Sequence, residues 1–275
     1  MNIHIKHVLI TGTTSGIGRS LLEHYASRGV VVTAVNRRKD VELESRYPKV
    51  KFQQIDVRDA QAVSNLVNEL ARGNELPDTF ILNAGINRVD NDPTFLIDEF
   101  REVVDTNLFG ALNFVAPLIS LKSRPSATQV IAISSMTNYA ANPYCLGYYV
   151  SKRALTNSFE GLEAMYRKTD LKFKWVILGP VLTGITSSAE KFPKFMSFIK
   201  NLFSISQEET VRALVNFSEA NQKQLIFPLR AFFLFQGLRL AKLLFPGFYR
   251  GKRNLETLPN VTKTQWTETV SDAKR

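Results

Sequence analysis

The sequence predicts an α/β fold in which one doubly wound parallel sheet is covered by helices on both faces. Three observations predict it. Short apolar runs alternate with helical patterns over residues 7–220, as they do where each parallel strand needs a helical crossover. The first apolar run leads directly into a glycine-rich turn and a helix, an arrangement that binds phosphate. Polar residues follow several of the apolar runs, at the edge of the sheet where ligands bind in such folds.

The apolar and helical patterns place a single domain over residues 1–228. Asp59 precedes the second helical pattern, and aspartate is a favoured N-cap residue. Strands are predicted at residues 7–11, 30–35, 50–55, 80–82, 130–133, 172–178 and 224–227. Helices are predicted from the glycine turn to Gly29, at 59–71, at 98–120, from Tyr148 to 167, and at 207–220.

Composition narrows the class of function. The single cysteine, Cys145, excludes an internal disulfide and a cysteine-based metal site. The three histidines lie within the first 24 residues without ligand spacing, so we expect no metal. The N-terminal residues lack the apolar core of a signal peptide, which favours a cytoplasmic protein. We find no nucleic-acid-binding motif, although the formal net charge is +10, and the partner is therefore expected to be a small molecule.

The glycine-rich turn is the first candidate binding site. It joins the first strand to the first helix with the spacing G-x-x-x-G-x-G. Glycine allows close approach of the backbone to a ligand, and the helix N-terminus attracts a phosphate. The residues proposed to bind a cofactor here are Gly12, Thr14, Ser15, Gly16, Ile17 and Gly18.

The end of the second strand indicates which dinucleotide binds. Many dinucleotide folds carry a carboxylate there for the ribose hydroxyls, whereas arginine accommodates a 2′-phosphate. This sequence has Asn36, Arg37 and Arg38, so NADP(H) is favoured over NAD. The alternative is that the two arginines are ordinary surface charges.

A tyrosine and a lysine supply the candidate chemistry. Tyr148 and Lys152 are four residues apart and share one face of a predicted helix,. A phenol has a free pKa of about 10, and a nearby ammonium stabilises the phenolate and makes the proton available. Ser135, at the end of the fifth strand, can hold the oxygen that receives this proton. Asp56, Asn83, Ser135 and Thr183 all follow predicted strands and therefore share one edge of the sheet,. A solvated surface pair is the alternative for the tyrosine and lysine.

With these motifs in their observed order, residues 6–228 resemble the classical short-chain dehydrogenase/reductase family. The resemblance rests on the glycine turn, on Asp56-Val57, on Asn83-Ala84-Gly85, and on a catalytic set. That set matches Asn107, Ser135, Tyr148 and Lys152. Two departures are Leu82, where the family usually has asparagine, and Leu178, where it usually has proline.

The resemblance implies a Rossmann-like fold and a role for each residue of the site. Tyr148 is the proton donor, Lys152 lowers its pKa and bonds to the nicotinamide ribose, Ser135 orients the carbonyl, and Asn107 holds a water. Asp56 and Val57 lie at the adenine, and Asn83, Ala84 and Gly85 support the sheet. Gly179, Val181 and Thr183 lie at the nicotinamide. Homo-oligomers built through residues 98–168 are also implied.

The expected activity is hydride transfer between NADP(H) and a ketone or secondary alcohol. Residues 184–206 contain many aromatic and aliphatic side chains, which predict a lid over a hydrophobic, lipid-like substrate; packing onto the core is the alternative. A second hypothesis is a protein that binds NADP(H) as a sensor or scaffold without turnover.

The C-terminal region carries much of the positive charge. Residues 221–275 hold ten Lys and Arg against three acidic residues, which is +7 of the +10. An amphipathic helical extension at 229–253 is apolar with a basic edge, which favours peripheral contact with an anionic membrane. Packing against another subunit is the alternative. Residues 254–275 are expected to form a mobile polar tail.

Overall fold

Seven parallel strands form one sheet. The structure is a computed structural model that describes residues 4–88, 96–121, 124, 127–139, 145–181 and 204–244. The strands are β1 (His7–Thr11), β2 (Val31–Asn36), β3 (Lys51–Gln54), β4 (Thr79–Leu82), β5 (Thr128–Ser135), β6 (Leu171–Leu178) and β7 (Gln224–Phe227). Their order is β3-β2-β1-β4-β5-β6-β7. The chain therefore changes direction across the sheet between β1 and β4, which is the switch point where doubly wound sheets bind ligands.

Helices connect the strands on both faces of this sheet. They are α1 (Gly16–Ser27), α2 (Val41–Arg46), α3 (Ala60–Arg72), α4 (Ile97–Val104), α5 (Gly110–Ser120), α6 (Leu146–Tyr166), α7 (Gln207–Glu219) and α8 (Leu229–Leu244). A π-helical turn, Asp105–Phe109, joins α4 to α5, and a 3₁₀ turn, Met136–Tyr139, follows β5. The predicted fold class and all seven predicted strands are confirmed. The predicted helix at 98–120 contains this π turn, and α2 was not predicted.

Polar side chains fix where several helices begin. The Asp59 carboxylate accepts a hydrogen bond from the backbone N–H of Ala62 at 2.9 Å, as its position before the helical pattern predicts,. Asp40 caps α2 in the same way, through the N–H of Leu43 at 3.0 Å. Ser206 and Glu209 form a capping box at the start of α7,.

Two apolar layers enclose the sheet, because strands of a parallel sheet are buried on both faces. One layer packs α3, α5 and α6 onto the sheet, with Phe80, Phe114 and Phe159 fully buried. The other packs α1 and α7 onto the opposite face, around Leu21 and Leu214. The two layers leave the carboxyl edge of the sheet to the polar residues described below.

The helical stretch Ile97–Ser120 is long and apolar enough to cross a membrane by length and composition, and it alone passes that test among the described residues. Half of its most apolar window is buried within the fold. It packs against α3 and α6 and carries Asn107. These contacts are those of a core helix.

Candidate active site

The glycine turn after β1 has the backbone shape that its spacing predicts. Gly12 and Gly16 have φ values of +72° and +56°, which strongly favour glycine,. A Cβ on Gly18 would lie 2.1 Å from the carbonyl oxygen of Gly12, so only hydrogen fits there. Ser15, the N-cap of α1, makes no side-chain capping bond, and the first turn of α1 has no acidic residue. The first N–H groups of α1 are therefore available to an anion.

Asn83 ties the end of β4 to this turn. Its Nδ2 donates to the carbonyl oxygens of Thr11 and Gly12 at 3.1 and 3.0 Å. The Thr11 hydroxyl in return accepts from the N–H groups of Asn83 and Ala84 at 3.0 and 2.9 Å. Asn83 thus holds the turn at the switch point, and it also lines the cleft beside it.

Asn36 supports the turn from the β2 side. Its Oδ1 accepts from the N–H of Thr13 at 2.7 Å, and its Nδ2 lies 2.9 Å from the Thr13 hydroxyl. Both residues are buried, so the amide is occupied within the protein. Arg37 and Arg38 are exposed and line the cleft beyond it. The neutral amide and the two cations leave the end of β2 positively charged.

The loop after β3 forms the opposite wall of the cleft. Asp56 pairs with the Arg58 guanidinium at 2.6 Å, and this pair, with Arg37 nearby, keeps the pKa of the Asp56 carboxyl below its usual value. The Val57 carbonyl accepts from Asn113 Nδ2 at 2.9 Å. A Cβ on Gly110 would lie 2.6 Å from Val57 Cγ2, so α5 approaches this loop closely only because residue 110 is glycine.

These walls define one cleft, and most of the predicted cofactor residues line it. Its lining is Gly12, Thr14, Ser15, Gly16, Ile17, Val35, Asn36, Arg37, Arg38, Ile55, Asp56, Val57, Asn83, Ala84, Gly85, Ile86 and Thr106. Of the predicted residues of the glycine turn, Gly18 stands behind the cleft, where its lack of a side chain permits the turn.

Asn107 lies in the π turn and is fully engaged by its neighbours. Its Oδ1 accepts from the N–H of Ile86 at 2.7 Å, and its Nδ2 donates to the Ile86 carbonyl at 2.9 Å and to the Ser151 hydroxyl at 3.0 Å. The side chain therefore joins the loop after β4 to helix α6. Short π segments inside α-helices are frequent at functional sites.

Tyr148 and Lys152 lie on α6, one turn apart, as predicted. The Lys152 ammonium donates to the Ile133 carbonyl at 2.8 Å and lies 5.8 Å from the centre of the Tyr148 ring. Tyr148 is hydrogen-bonded to Ser135. A Cβ on Gly85 would lie 3.4 Å from Lys152 Nζ and 3.2 Å from Asn107 Oδ1. Gly85 thus lines the cleft on one side and lies close to Lys152 and Asn107 on the other.

The pKa values differ from the expectation for this pair. Burial raises the pKa of Tyr148 to about 12, although its hydrogen bond to Ser135 acts in the opposite direction. Burial lowers the pKa of Lys152 to about 8. The ammonium is directed to a backbone carbonyl, and the expected lowering of the phenol pKa by lysine is not what this geometry produces.

A polar network behind the pair was missed by the sequence reasoning. The Ser134 hydroxyl donates to the Lys152 carbonyl at 2.9 Å and lies 2.7 Å from the Thr156 hydroxyl. Asn138 Nδ2 donates to the Thr156 hydroxyl at 2.6 Å. The available signal was the polar Ser134, which directly follows the apolar run at residues 130–133. The network fixes α6 against β5.

The segment after β6 meets the start of α8. The Gly179 N–H donates to the Phe227 carbonyl at 2.8 Å, and a Cβ on Gly179 would lie 2.9 Å from Pro228 Cδ. Val181 is buried and forms an isolated bridge with Ile205. Thr183, residues 184–203 of the predicted lid, residues 245–253 of the extension and the predicted tail at 254–275 lie outside the described residues.

The fold and this cleft are those of the dinucleotide-binding α/β class. The glycine turn lies at the switch point, and Lys152 of α6 lies beside Gly85, which follows β4 and lines the same cleft,. The family model described as short chain dehydrogenase matches residues 6–194. The chain belongs to this short-chain dehydrogenase family.

Three similar proteins illustrate the relationship. Dehydrogenase/reductase SDR family member 7B of Bos taurus is 29% identical over 198 residues, covering 66% of this chain and 60% of the relative. 11-beta-hydroxysteroid dehydrogenase A of Sesamum indicum is 31% identical over 172 residues, covering 58% of this chain and 48% of the relative. The chain thus spans between about half and three fifths of these two proteins. A short chain dehydrogenase from Burkholderia cenocepacia, crystallised in complex with NADP, has a TM-score of 0.72 at 24% identity, covering 91% of this chain and 100% of that one.

Proposed function

We propose that the protein is an NADP(H)-dependent oxidoreductase that interconverts a ketone and a secondary alcohol. The observation that carries the proposal is the position of Gly85, which lines the cleft of the glycine turn; a Cβ built on it would lie 3.4 Å from Lys152 Nζ and 3.2 Å from Asn107 Oδ1. Lys152 Nζ in turn lies 5.8 Å from the centre of the Tyr148 ring, so the proposed proton donor is near the cofactor cleft. When bound, the nicotinamide supplies or accepts the hydride.

The side chains of the site supply the proton and orient the reacting groups. Tyr148, which stays protonated because of its raised pKa, donates its proton to the carbonyl oxygen in the direction of reduction. The Ser135 hydroxyl orients that oxygen. Lys152, one turn away, provides a positive charge beside the phenol, and Asn107 holds the loop after β4 against α6.

The charge of the cleft supports NADP(H) as the cofactor. Arg37 and Arg38 follow β2 and line the cleft. The position before them, where a carboxylate would repel a phosphate, holds the neutral Asn36, whose amide is already bonded to Thr13. The similar Burkholderia structure is described as a complex with NADP. The residues that would hold the adenosine half are the glycine turn, Arg37, Arg38, Asp56 and Val57.

The chain that follows Ser135 is apolar and supports an apolar substrate. Met136 follows Ser135 directly and is buried, and Tyr139 packs edge-on against Phe232 of α8 with 5.1 Å between the ring centres. Pockets with apolar walls and few polar groups favour hydrophobic ligands. The Sesamum relative is named as a hydroxysteroid dehydrogenase, and we propose a hydrophobic, lipid-like ketone as the substrate class.

Helix α8 supports the proposed contact with an anionic membrane. Leu229, Phe233 and Leu240 are 60%, 69% and 56% exposed. They lie on one face of the helix, since residues four and eleven apart share a face. Arg230 beside them is exposed. An exposed apolar stripe with adjacent positive charge is typical of helices that lie in a membrane interface.

Self-association through residues 98–168 is part of the proposal. Phe109 in the π turn and Met165 near the end of α6 are exposed by 51% and 74%. Apolar surface of this kind on two neighbouring helices favours a second copy of the chain. Light scattering coupled to size-exclusion chromatography measures the assembly directly.

NADPH oxidation tests the proposed activity. The purified protein is assayed with a panel of steroid, long-chain 3-keto and aromatic ketones, beside Tyr148→Phe and, as a matched control, Tyr149→Phe. We expect Tyr148→Phe to lose about 10²- to 10⁴-fold in kcat, the usual contribution of a general acid, while Tyr149→Phe retains activity. Equal activity in wild type and Tyr148→Phe contradicts the mechanism. Cofactor binding without turnover of any substrate favours the sensor or scaffold hypothesis.

A further inference from the structure

Arg58 pairs with Asp56, which lines the cleft, and is not one of the residues matched to the family motifs. Its Nε lies 3.0 Å from Asp56 Oδ1 and 3.1 Å from Oδ2, and its Nη2 lies 2.6 Å from Oδ2. Its backbone N–H also donates to Oδ1 at 3.0 Å. Both oxygens of the Asp56 carboxylate are thus held by one residue, in the bidentate geometry that arginine favours.

The cleft lining near Asp56 carries more positive than negative charge. Arg37 and Arg38 line the cleft together with Asp56, and the guanidinium of Arg37 is close enough to act on the Asp56 carboxyl. An unpaired carboxylate in that position would repel a phosphate bound by the two arginines. Paired with Arg58, the carboxylate instead has its charge balanced locally.

We propose that Arg58 is a positioning residue for cofactor choice: it neutralises and orients Asp56, and so allows Arg37 and Arg38 to attract a 2′-phosphate. This inference rests on the proposed preference for NADP(H). It assigns part of that preference to Arg58, which acts through Asp56 and does not contact the phosphate.

Calorimetric titration with two adenosine fragments tests this without catalysis. The probes are 2′,5′-ADP, which carries the 2′-phosphate, and 5′-AMP, which lacks it. We expect Arg58→Ala to reduce the ratio of the two affinities on the order of fivefold, the effect of one uncompensated charge on a nearby phosphate at the solvent edge. The double variant Asp56→Asn/Arg58→Ala should restore the ratio, because it removes the carboxylate as well.

A matched control removes an arginine from a similar surface pair. Arg212 bonds to Glu208 on α7 at 3.1 Å, and Arg212→Ala should leave the affinity ratio unchanged. An unchanged ratio in Arg58→Ala, or a ratio that stays low in the double variant, overturns the inference while the NADP(H) preference stands. A wild-type ratio near one contradicts the preference and the inference together. Thermal unfolding of each variant confirms that it is folded.

Discussion

Lys152 donates a hydrogen bond to the Ile133 carbonyl at 2.8 Å, while its ammonium lies 5.8 Å from the centre of the Tyr148 ring. The lysine therefore anchors α6 to β5 and stands beside the phenol at the same time. Its burial has a measurable consequence, because it moves the pKa of Lys152 to about 8, within the range where enzymes are assayed.

The first prediction concerns pH and the charge of Lys152. As pH rises through about 8 the ammonium loses its proton, so kcat/KM for ketone reduction should fall there. In Lys152→Arg this inflection should disappear, because a guanidinium stays charged. A pH profile of kcat/KM between 6 and 10, which reports groups of the free enzyme, measures both. An inflection that persists in Lys152→Arg assigns it to another group.

The same pKa predicts how Lys152 affects stability. The ordinary pKa is 10.5, and the folded value is about 8, so between these values the unfolded chain binds more protons than the folded one. The lysine's contribution to the free energy of unfolding should therefore rise with pH across this window and be constant below it. Urea denaturation of wild type and Lys152→Met at pH 7.5 and 9.5 measures the change in the free energy of unfolding with pH in each protein. An equal change in wild type and Lys152→Met contradicts the prediction.

The second prediction compares two glycines. Gly18→Ala places a Cβ 2.1 Å from the Gly12 carbonyl oxygen, and we expect a loss of about 1–3 kcal/mol in the free energy of unfolding together with weakened 2′,5′-ADP binding. Gly161 lies within α6, and a Cβ there meets nothing within 4 Å. Gly161→Ala should stabilise the protein by about 0.5–1 kcal/mol through its helix propensity. Urea denaturation and calorimetry measure both, and wild-type binding by Gly18→Ala contradicts the assignment of the turn.

Parallel strands could be located from sequence because burial on both faces gives continuous apolar runs. The strand predicted at 80–82 illustrates this, since it lies within β4, whose four residues are all buried. Helix α2 was missed because its six residues, Val41–Arg46, bury only Leu43 and so show no apolar periodicity. The π turn at Asn107 was missed because the apolar pattern of 98–120 runs through it, and an extra residue in one turn leaves no signature in composition.

Side-chain partners were less predictable than elements. Asn36 was expected at the cofactor, and it lines the cleft, but its amide is occupied by Thr13, 23 residues away in sequence. The Lys152–Ile133 bond likewise spans 19 residues. Such bonds depend on which strands become neighbours, and a motif specifies the residue types without specifying which atoms meet.

The third prediction tests the bonds around Asn107. Asn107→Leu leaves the N–H and carbonyl of Ile86 without this partner, and we expect a loss of about 2–4 kcal/mol in the free energy of unfolding. Ser151→Ala removes one acceptor of Asn107 Nδ2 and should be milder. Because the two residues share a bond, the double variant should lose about 1 kcal/mol less than the sum of the single variants. Additive losses in urea denaturation contradict the coupling.

The fourth prediction concerns the exposed stripe of α8. Phe233 is 69% exposed on this helix, and Val41, 66% exposed on α2, is an exposed apolar residue outside both proposed interfaces. Phe233→Glu should weaken sedimentation with vesicles of mixed phosphatidylserine and phosphatidylcholine about tenfold or more, since burial of an aromatic side chain contributes about 1.5–3 kcal/mol, whereas Val41→Glu should bind as wild type does. Binding should also weaken with added salt, because the exposed Arg230 beside the stripe acts through electrostatic attraction,. If Phe233→Glu leaves vesicle binding intact, the stripe is not the membrane contact. If it instead changes the molar mass measured by light scattering, the partner of α8 is a second subunit.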